Sequence, residues 1–385
     1  MIASGPRFSP PAGNRIPELD GWRGLSIIFV VLGHLVGVRY ADLVNAASLA
    51  PVGVAATWGV RIFFVISGFI ITRLAMHESE VTGKFSAPRF YVRRLFRIVP
   101  AFFVYLSCIA VAGSWGLIEP DPTGVLRAAI FTCNVPQVAC GPFVEHSWTL
   151  AYEEQFYLLF PLLLTVGARR MRAAAGGVFL ALMLFPLLRY GLRLDGAWHS
   201  AYQMVPGFSF ICAGVLLALH HDRIAAVIAS RSVACGYGSV IFLALMAINT
   251  VVYFPLASPA AYLQVLINQL CWPICIAWLV AVSLRPNSFG SRLLQLQIFQ
   301  FFGMISYSLY LWQQAFTAKP NLYLTESWLA IWPLMFVMAW LSYQCIERPA
   351  IGLGKLLLGS GRARQRALRA PPGSAVEIRR APTAG

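Results

Sequence analysis

The sequence predicts an all-α fold: a polytopic membrane protein of about ten transmembrane helices with both termini in the cytoplasm. Three observations carry this. Of 385 residues, 58% are hydrophobic and only 12% charged, a balance foreign to soluble domains. Runs of about twenty apolar residues, enough to cross a bilayer as helix, recur along the chain. The basic residues also fall on alternate sides of those runs. The predicted spans are 22–40, 57–77, 91–118, 148–168, 173–190, 203–221, 233–256, 261–284, 297–317 and 328–347. The N-terminal segment, the even-numbered loops and the C-terminal tail hold 24 Lys and Arg residues, against five in the odd-numbered loops. Such a bias places the richer side in the cytoplasm.

The same distribution excludes some functions. The net charge of +15 is read as topology. Its basic residues do not interleave with aromatics as a nucleic-acid surface would, so no nucleic-acid partner is expected. Residues 1–17 contain Pro and Gly but no apolar core of a signal peptide, and form a cytoplasmic N-terminal segment. Residues 18–350 make the membrane domain, and 351–385, rich in Arg, Ala, Pro and Gly, are expected to be a disordered basic cytoplasmic tail. The eight cysteines show no metal-ligand spacing, so no metal is expected. Cys133 and Cys140 share the longest loop, 119–147, placed outside, where a disulfide could form. That loop also has room for a short interfacial helix.

Taken in order, the first span carries ELDGWRGLSIIFVVLGH, from Glu18 to His34. Arg23 and His34 are eleven residues apart, so they share one helix face about 16 Å apart along the axis. Arg23 then lies near one surface and His34 near the middle of the bilayer or just beyond. An ionisable group at that depth is a candidate functional residue, although a neutral histidine bonded between helices is the plainer alternative. The second span contains Ser67-Gly68, which suits close helix packing. Its Arg61 either snorkels to the interface or pairs with a carboxylate in the bundle.

The third span opens FYVRRLFRIVP. Arg93, Arg94 and Arg97 lie within two turns at the cytoplasmic end, and with Arg23 at similar depth they suit a seat for phosphate groups better than simple anchoring. Pro100 follows inside the helix. The fourth span opens HSWTLAYEEQFYLLFP and runs inward. Glu153 lies roughly 6–9 Å below the outer boundary, with Tyr157 four residues on and on its face. His34 reaches a comparable depth from the other side, so His34 and Glu153 are expected to meet in the outer half of the bilayer. Later spans are quieter. The ninth contains ISYSLYLWQQAF, where Gln313 and Gln314 can donate to a substrate or another helix, and the tenth ends CIERP, with Glu347 and Arg348 at the inner interface.

Together these segments resemble the acyltransferase 3 family of integral-membrane O-acyltransferases. The matching pieces are LDGWRGL with the Arg23-x10-His34 spacing, FFVISGFIIT, RRLFRIVP with its RxxR, WTLAYEEQFYLLFP, ISYSLYLWQQ and IERP. The match covers roughly residues 16–350 in order. The resemblance implies a bacterial inner-membrane enzyme with no permanently bound cofactor. It would take an acyl group, commonly acetyl, from cytoplasmic acyl-CoA and pass it to a hydroxyl of a glycan or related acceptor. The family's functional positions carry over onto Arg23 and His34, onto Arg94 and Arg97, and onto Trp148, Thr149, Leu150 and Glu153. Two departures are visible: the family's usual Ser is Thr149, and where many members read YLWH this chain has Gln313. With no esterase-like domain expected after the membrane part, transfer would end on the acceptor within the membrane domain or on a separate partner protein.

The expected mechanism places the CoA phosphates on Arg23, Arg94 and Arg97, with the pantetheine arm reaching toward His34. His34 would serve as general base or as transient acyl carrier. Glu153 would orient its imidazole, and Trp148, Thr149, Tyr157 and Gln313 would contact substrate. The rival reading is a proton-coupled transporter or lipid-linked sugar flippase that uses the same His and Glu as a relay. Against it, the chain has no internal repeat and no matched pair of Gly/Pro-broken helices.

Overall fold

The computed structural model describes residues 16–35, 46–135, 140–165, 168–192, 197–251, 267, 271–318 and 328–369. Among them the fold is helical throughout, with no strand. The helices are α1 (Pro17–His34), α2 (Ala46–Thr82), α3 (Ala87–Ser114), α4 (Pro122–Ala129), α5 (Ser147–Thr165), α6 (Ala168–Leu192) and α7 (Ala197–Leu219). After them come α8 (His221–Ser230), α9 (Ser232–Val251), α10 (Trp272–Ser283), α11 (Phe289–Leu294), α12 (Gln297–Thr317) and α13 (Trp328–Ser342). A π-helical turn, Tyr343–Glu347, then leads into α14 (Arg348–Arg369).

Local chemistry explains the starts. Pro17 opens α1, where its missing N–H costs nothing, and Glu18 and Asp20 favour the positive end of the helix. α4 is the short helix expected in loop 119–147, capped by Asp121, whose carboxylate accepts from the Thr123 and Gly124 amides. Cys133 and Cys140 in that loop are disulfide-bonded, with Cα atoms 5.7 Å apart. α14 carries helix to Arg369, into the stretch expected to be disordered, while residues 370–385 lie outside the described residues. Residues 36–40 of the first predicted span and most of 261–270 of the eighth lie outside them too.

Among the described residues, three helical segments are long and apolar enough to cross a membrane: Ala55–Thr82, Ala87–Ser114 and Ser232–Asn249. Gly207–Leu219 and His221–Ser230, bent by 74°, form a fourth if taken as one broken span. α1, α5 and α12 fall outside this set while carrying ionisable or amide groups within their runs (Arg23 and His34; Glu153 and Glu154; Gln313 and Gln314). Those are the helices on which the site is built.

Two close crossings set the site's frame. At the first, α1 meets α11 and α12 backbone to backbone. A Cβ on Gly21 would collide with the Leu294 carbonyl, one on Gly24 with Phe299, and one on Gly303 with Asp20. At the second, Gly68 of α2 faces the Ile211 carbonyl of α7, and Gly214 of α7 faces Val65. This is the close approach expected of Ser67-Gly68, and small residues permit it in a membrane bundle, where packing rather than hydrophobicity joins helices. Apolar cores fill the two sides. One gathers Phe69, Phe160, Phe210 and Ile276. The other gathers Ile27, Phe102, Tyr105 and Leu311.

Candidate active site

A cavity of about 1070 Å³ lies among α1, α2, α3, α5 and α12. Along α2 its wall runs from Val60 to Glu80, roughly 30 Å of helix axis. Six basic side chains line it: Arg23, Arg73, Arg94, Arg97, Arg348 and Lys355. Arg23, Arg94 and Arg97, singled out from spacing, therefore do converge. The α1–α12 crossing brings Arg23 onto α12, where its guanidinium donates to Ser306 Oγ at 3.0 Å. Arg94 lies over the rings of Tyr157 and Phe90, with Cζ 5.6 and 6.0 Å from their centroids, a cation–π arrangement. Its buried Nε has no hydrogen-bond partner among the described residues.

Arg93 belongs elsewhere. It is bound to Glu78 at 2.6 Å and does not line the cavity. Arg73, Arg348 and Lys355 were absent from the expected seat. Arg348 opens α14, Lys355 lies about two turns into it, and Arg73 lies in the last third of α2.

Four carboxylates line the cavity against the six Lys and Arg side chains: Asp20, Glu80, Glu153 and Glu347. Glu347 is presented by the π-helical turn, a local widening common at functional sites, and accepts from Ser308 Oγ at 2.9 Å. Its charged neighbours are Arg97 and Arg23. Glu153 accepts from Tyr157 Oη at 3.1 Å, and that hydroxyl is 2.7 Å from Ser67 Oγ. The charged neighbours of Glu153 are Arg23 and Arg94. The wall is thus a buried ion network with arginine in excess, and such a hole attracts a polyanion.

The expected meeting of His34 with Glu153 is replaced by a different arrangement. No described contact joins them. His34 is partly buried at the last position of α1 and does not line the cavity. Its ionisable neighbour is His146, close enough for their charges to interact. The cavity ends one turn short of that pair, at Thr149, Leu150 and Tyr310. Thr149 Oγ1 bonds with Tyr310 Oη, and the Tyr310 hydroxyl donates to the His146 carbonyl at 2.6 Å.

Of the other expected substrate contacts, Thr149 and Tyr157 line the cavity, whereas Trp148 and Gln313 do not. Trp148 packs edge-on against Phe64 and Tyr152. Gln313 is fully buried, 3.4 Å from Gln314 Oε1. Sequence reading passed over Ser306, Tyr307 and Tyr310, although their polar i, i+1, i+4 pattern in ISYSLY was a usable signal.

The helical bundle thus encloses a polar, arginine-rich cavity that ends at Thr149, Leu150 and Tyr310. Residues 16–346 match the family model described as an acyltransferase domain. The chain belongs to that acyltransferase family. It is also similar to O-acetyltransferase OatA of Staphylococcus aureus strain NCTC 8325 / PS 47, 27% identical over 370 residues, a match covering 87% of this chain and 57% of the relative. OatA of strains COL and MRSA252 gives the same figures. The chain thus spans little more than half the length of these relatives. No solved structure matches it.

Proposed function

We propose that this chain is a bacterial inner-membrane O-acyltransferase that moves an acyl group, acetyl in the simplest case, from cytoplasmic acyl-CoA to a hydroxyl of a glycan or glycosylated acceptor. The observation that carries this reading is the cavity whose arginine-rich wall leads to within one turn of the His34–His146 pair. Arg23, Arg94 and Arg97 bind the donor's phosphates, with Arg73, Arg348 and Lys355 lining the same cavity. The slender pantetheine arm follows α2 toward Thr149. His34 acts as general base: it takes the proton from the acceptor hydroxyl as the oxygen attacks the thioester carbonyl, the C–S bond breaks, and the CoA thiolate recovers the proton from the imidazolium. Glu153 works differently from the expectation. Held by Tyr157 and flanked by Arg23 and Arg94, it keeps the arginines in place.

The ten-span topology with both termini cytoplasmic belongs to this proposal, supported by the 24-to-5 bias of basic residues. The family match and the O-acetyltransferase names of the relatives support the chemistry. The test is transfer of radiolabel from acetyl-CoA to the glycan fraction of membranes containing the protein, against His34→Ala and Arg94→Ala. Label incorporated by the wild type and lost in both variants is expected. No incorporation and no CoA release would bring forward transport of a sugar across the membrane instead.

A further inference from the structure

His146 is unused by the mechanism above, yet it is the most unusual polar residue outside the cavity. It is 2% exposed. Neither Nδ1 nor Nε2 has a hydrogen-bond partner among the described residues. Its ring is held between Tyr105 and Tyr310, with centroids at 5.5 and 5.2 Å. Its own carbonyl is tied down by the Tyr310 hydroxyl and by Thr149 Oγ1 at 3.2 Å. The backbone is thus fixed, the ring is gripped on two sides, and the bonding edge is left over. A buried imidazole with both nitrogens unmet is costly unless something completes it. Ser147, the next residue, also has a buried hydroxyl without a partner among the described residues. His146 feels the charge of His34 and lies one helical turn before Thr149, where the donor cavity ends.

We propose that His146 is the acceptor-side histidine of the site: its ring nitrogens hydrogen-bond a polyhydroxylated acceptor and hold the reacting hydroxyl toward His34. A neutral imidazole offers one donor and one acceptor, and a sugar hydroxyl complements both. The donor's phosphates and the acceptor's hydroxyls therefore bind at opposite ends of one path, with Thr149 and Tyr310 between them. This inference rests on the acyltransferase reading.

The test uses the full-length protein in membranes and in detergent, with His146→Phe, which keeps a flat ring but no hydrogen-bonding edge, and His146→Gln, which keeps a donor and an acceptor. Label transfer from acetyl-CoA to the glycan fraction is measured beside the rise in Tm given by CoA alone. The Phe variant is expected to lose transfer by about tenfold or more while keeping the CoA-induced rise. The Gln variant is expected to recover part of the transfer. Transfer within twofold of wild type in both variants overturns the proposal. So does loss of the CoA response in step with transfer, which would make His146 a structural or donor-side residue. If the Phe variant does not fold, the Gln variant decides: reduced transfer with an intact CoA response supports the proposal, and unchanged transfer overturns it. Wild-type and His34→Ala controls separate the two claims. Transfer that depends on His34 but not on His146 leaves the acyltransferase reading standing, and no wild-type transfer removes both.

Discussion

Arg93 and Arg94 are adjacent in sequence and have separate fates. Consecutive residues on a helix point about 100° apart. Arg94 turns into the cavity over Tyr157, while Arg93 turns to Glu78, whose side chain is only 7% exposed. Arg93→Ala should therefore lower stability by about 1–3 kcal/mol, because a mostly buried carboxylate loses its partner. It should leave the CoA-induced rise in Tm unchanged, whereas Arg94→Ala should abolish that rise. Thermal unfolding with and without CoA reads both. Tyr157 links the same region through its hydroxyl, shared by Ser67 and Glu153. Tyr157→Phe should cost about 1–3 kcal/mol of stability and weaken the CoA response less than Arg94→Ala does, since the ring beneath the guanidinium remains.

At the scale of elements, the position of Arg23 depends on how closely α1 can approach α12. Gly303 permits that approach, with the Asp20 carbonyl where its side chain would begin. Gly177 in α6 has nothing within 4 Å of that position. Gly303→Val should remove the monodisperse peak in size-exclusion chromatography of the solubilised protein, and Gly177→Val should keep it. The comparison uses one substitution with the same helix-propensity cost, so a difference isolates the crossing.

This crossing also shows what spacing along one helix can and cannot reveal. Arg23, Arg94 and Arg97 were legible because charges stand out in apolar runs and their shared faces follow from local arithmetic. The close packing at Gly68 was legible for the same reason. The pairing of His34 with Glu153 was inferred from matching depth alone. Depth fixes a residue's height in the bilayer but not its direction around the bundle, and that direction is set by crossings between helices far apart in sequence. Glu153 therefore turned out to face Tyr157 and the arginines. His146 was quoted within a motif but passed over, because a histidine at a helix start looks solvated until tertiary contacts close over it.

For the whole molecule, the proposed topology would put the disulfide and the basic side chains at opposite ends: the loop closed by Cys133 and Cys140 on the oxidising face, and Arg348 and Lys355 of α14 on the other. Leu126 in α4 and Leu357 in α14 are exposed, at 62% and 50%. In a cysteine-depleted background, Leu126→Cys should react with a membrane-impermeant maleimide in intact spheroplasts. Leu357→Cys should react only after the membrane is opened. Labelling of Leu357→Cys from outside would reverse the proposed orientation.

The distribution of charge along the cavity has a bearing on turnover. In the proposed reaction, every group that the arginines would recognise on the donor is still present on the spent carrier after its acyl group has left. Free CoA should therefore occupy the cavity about as tightly as the thioester, competing with it for the same guanidiniums. With so little to distinguish the two, departure of the carrier is a natural slow step. The enzyme's pace would then follow the cell's ratio of acylated to free CoA rather than the donor concentration alone.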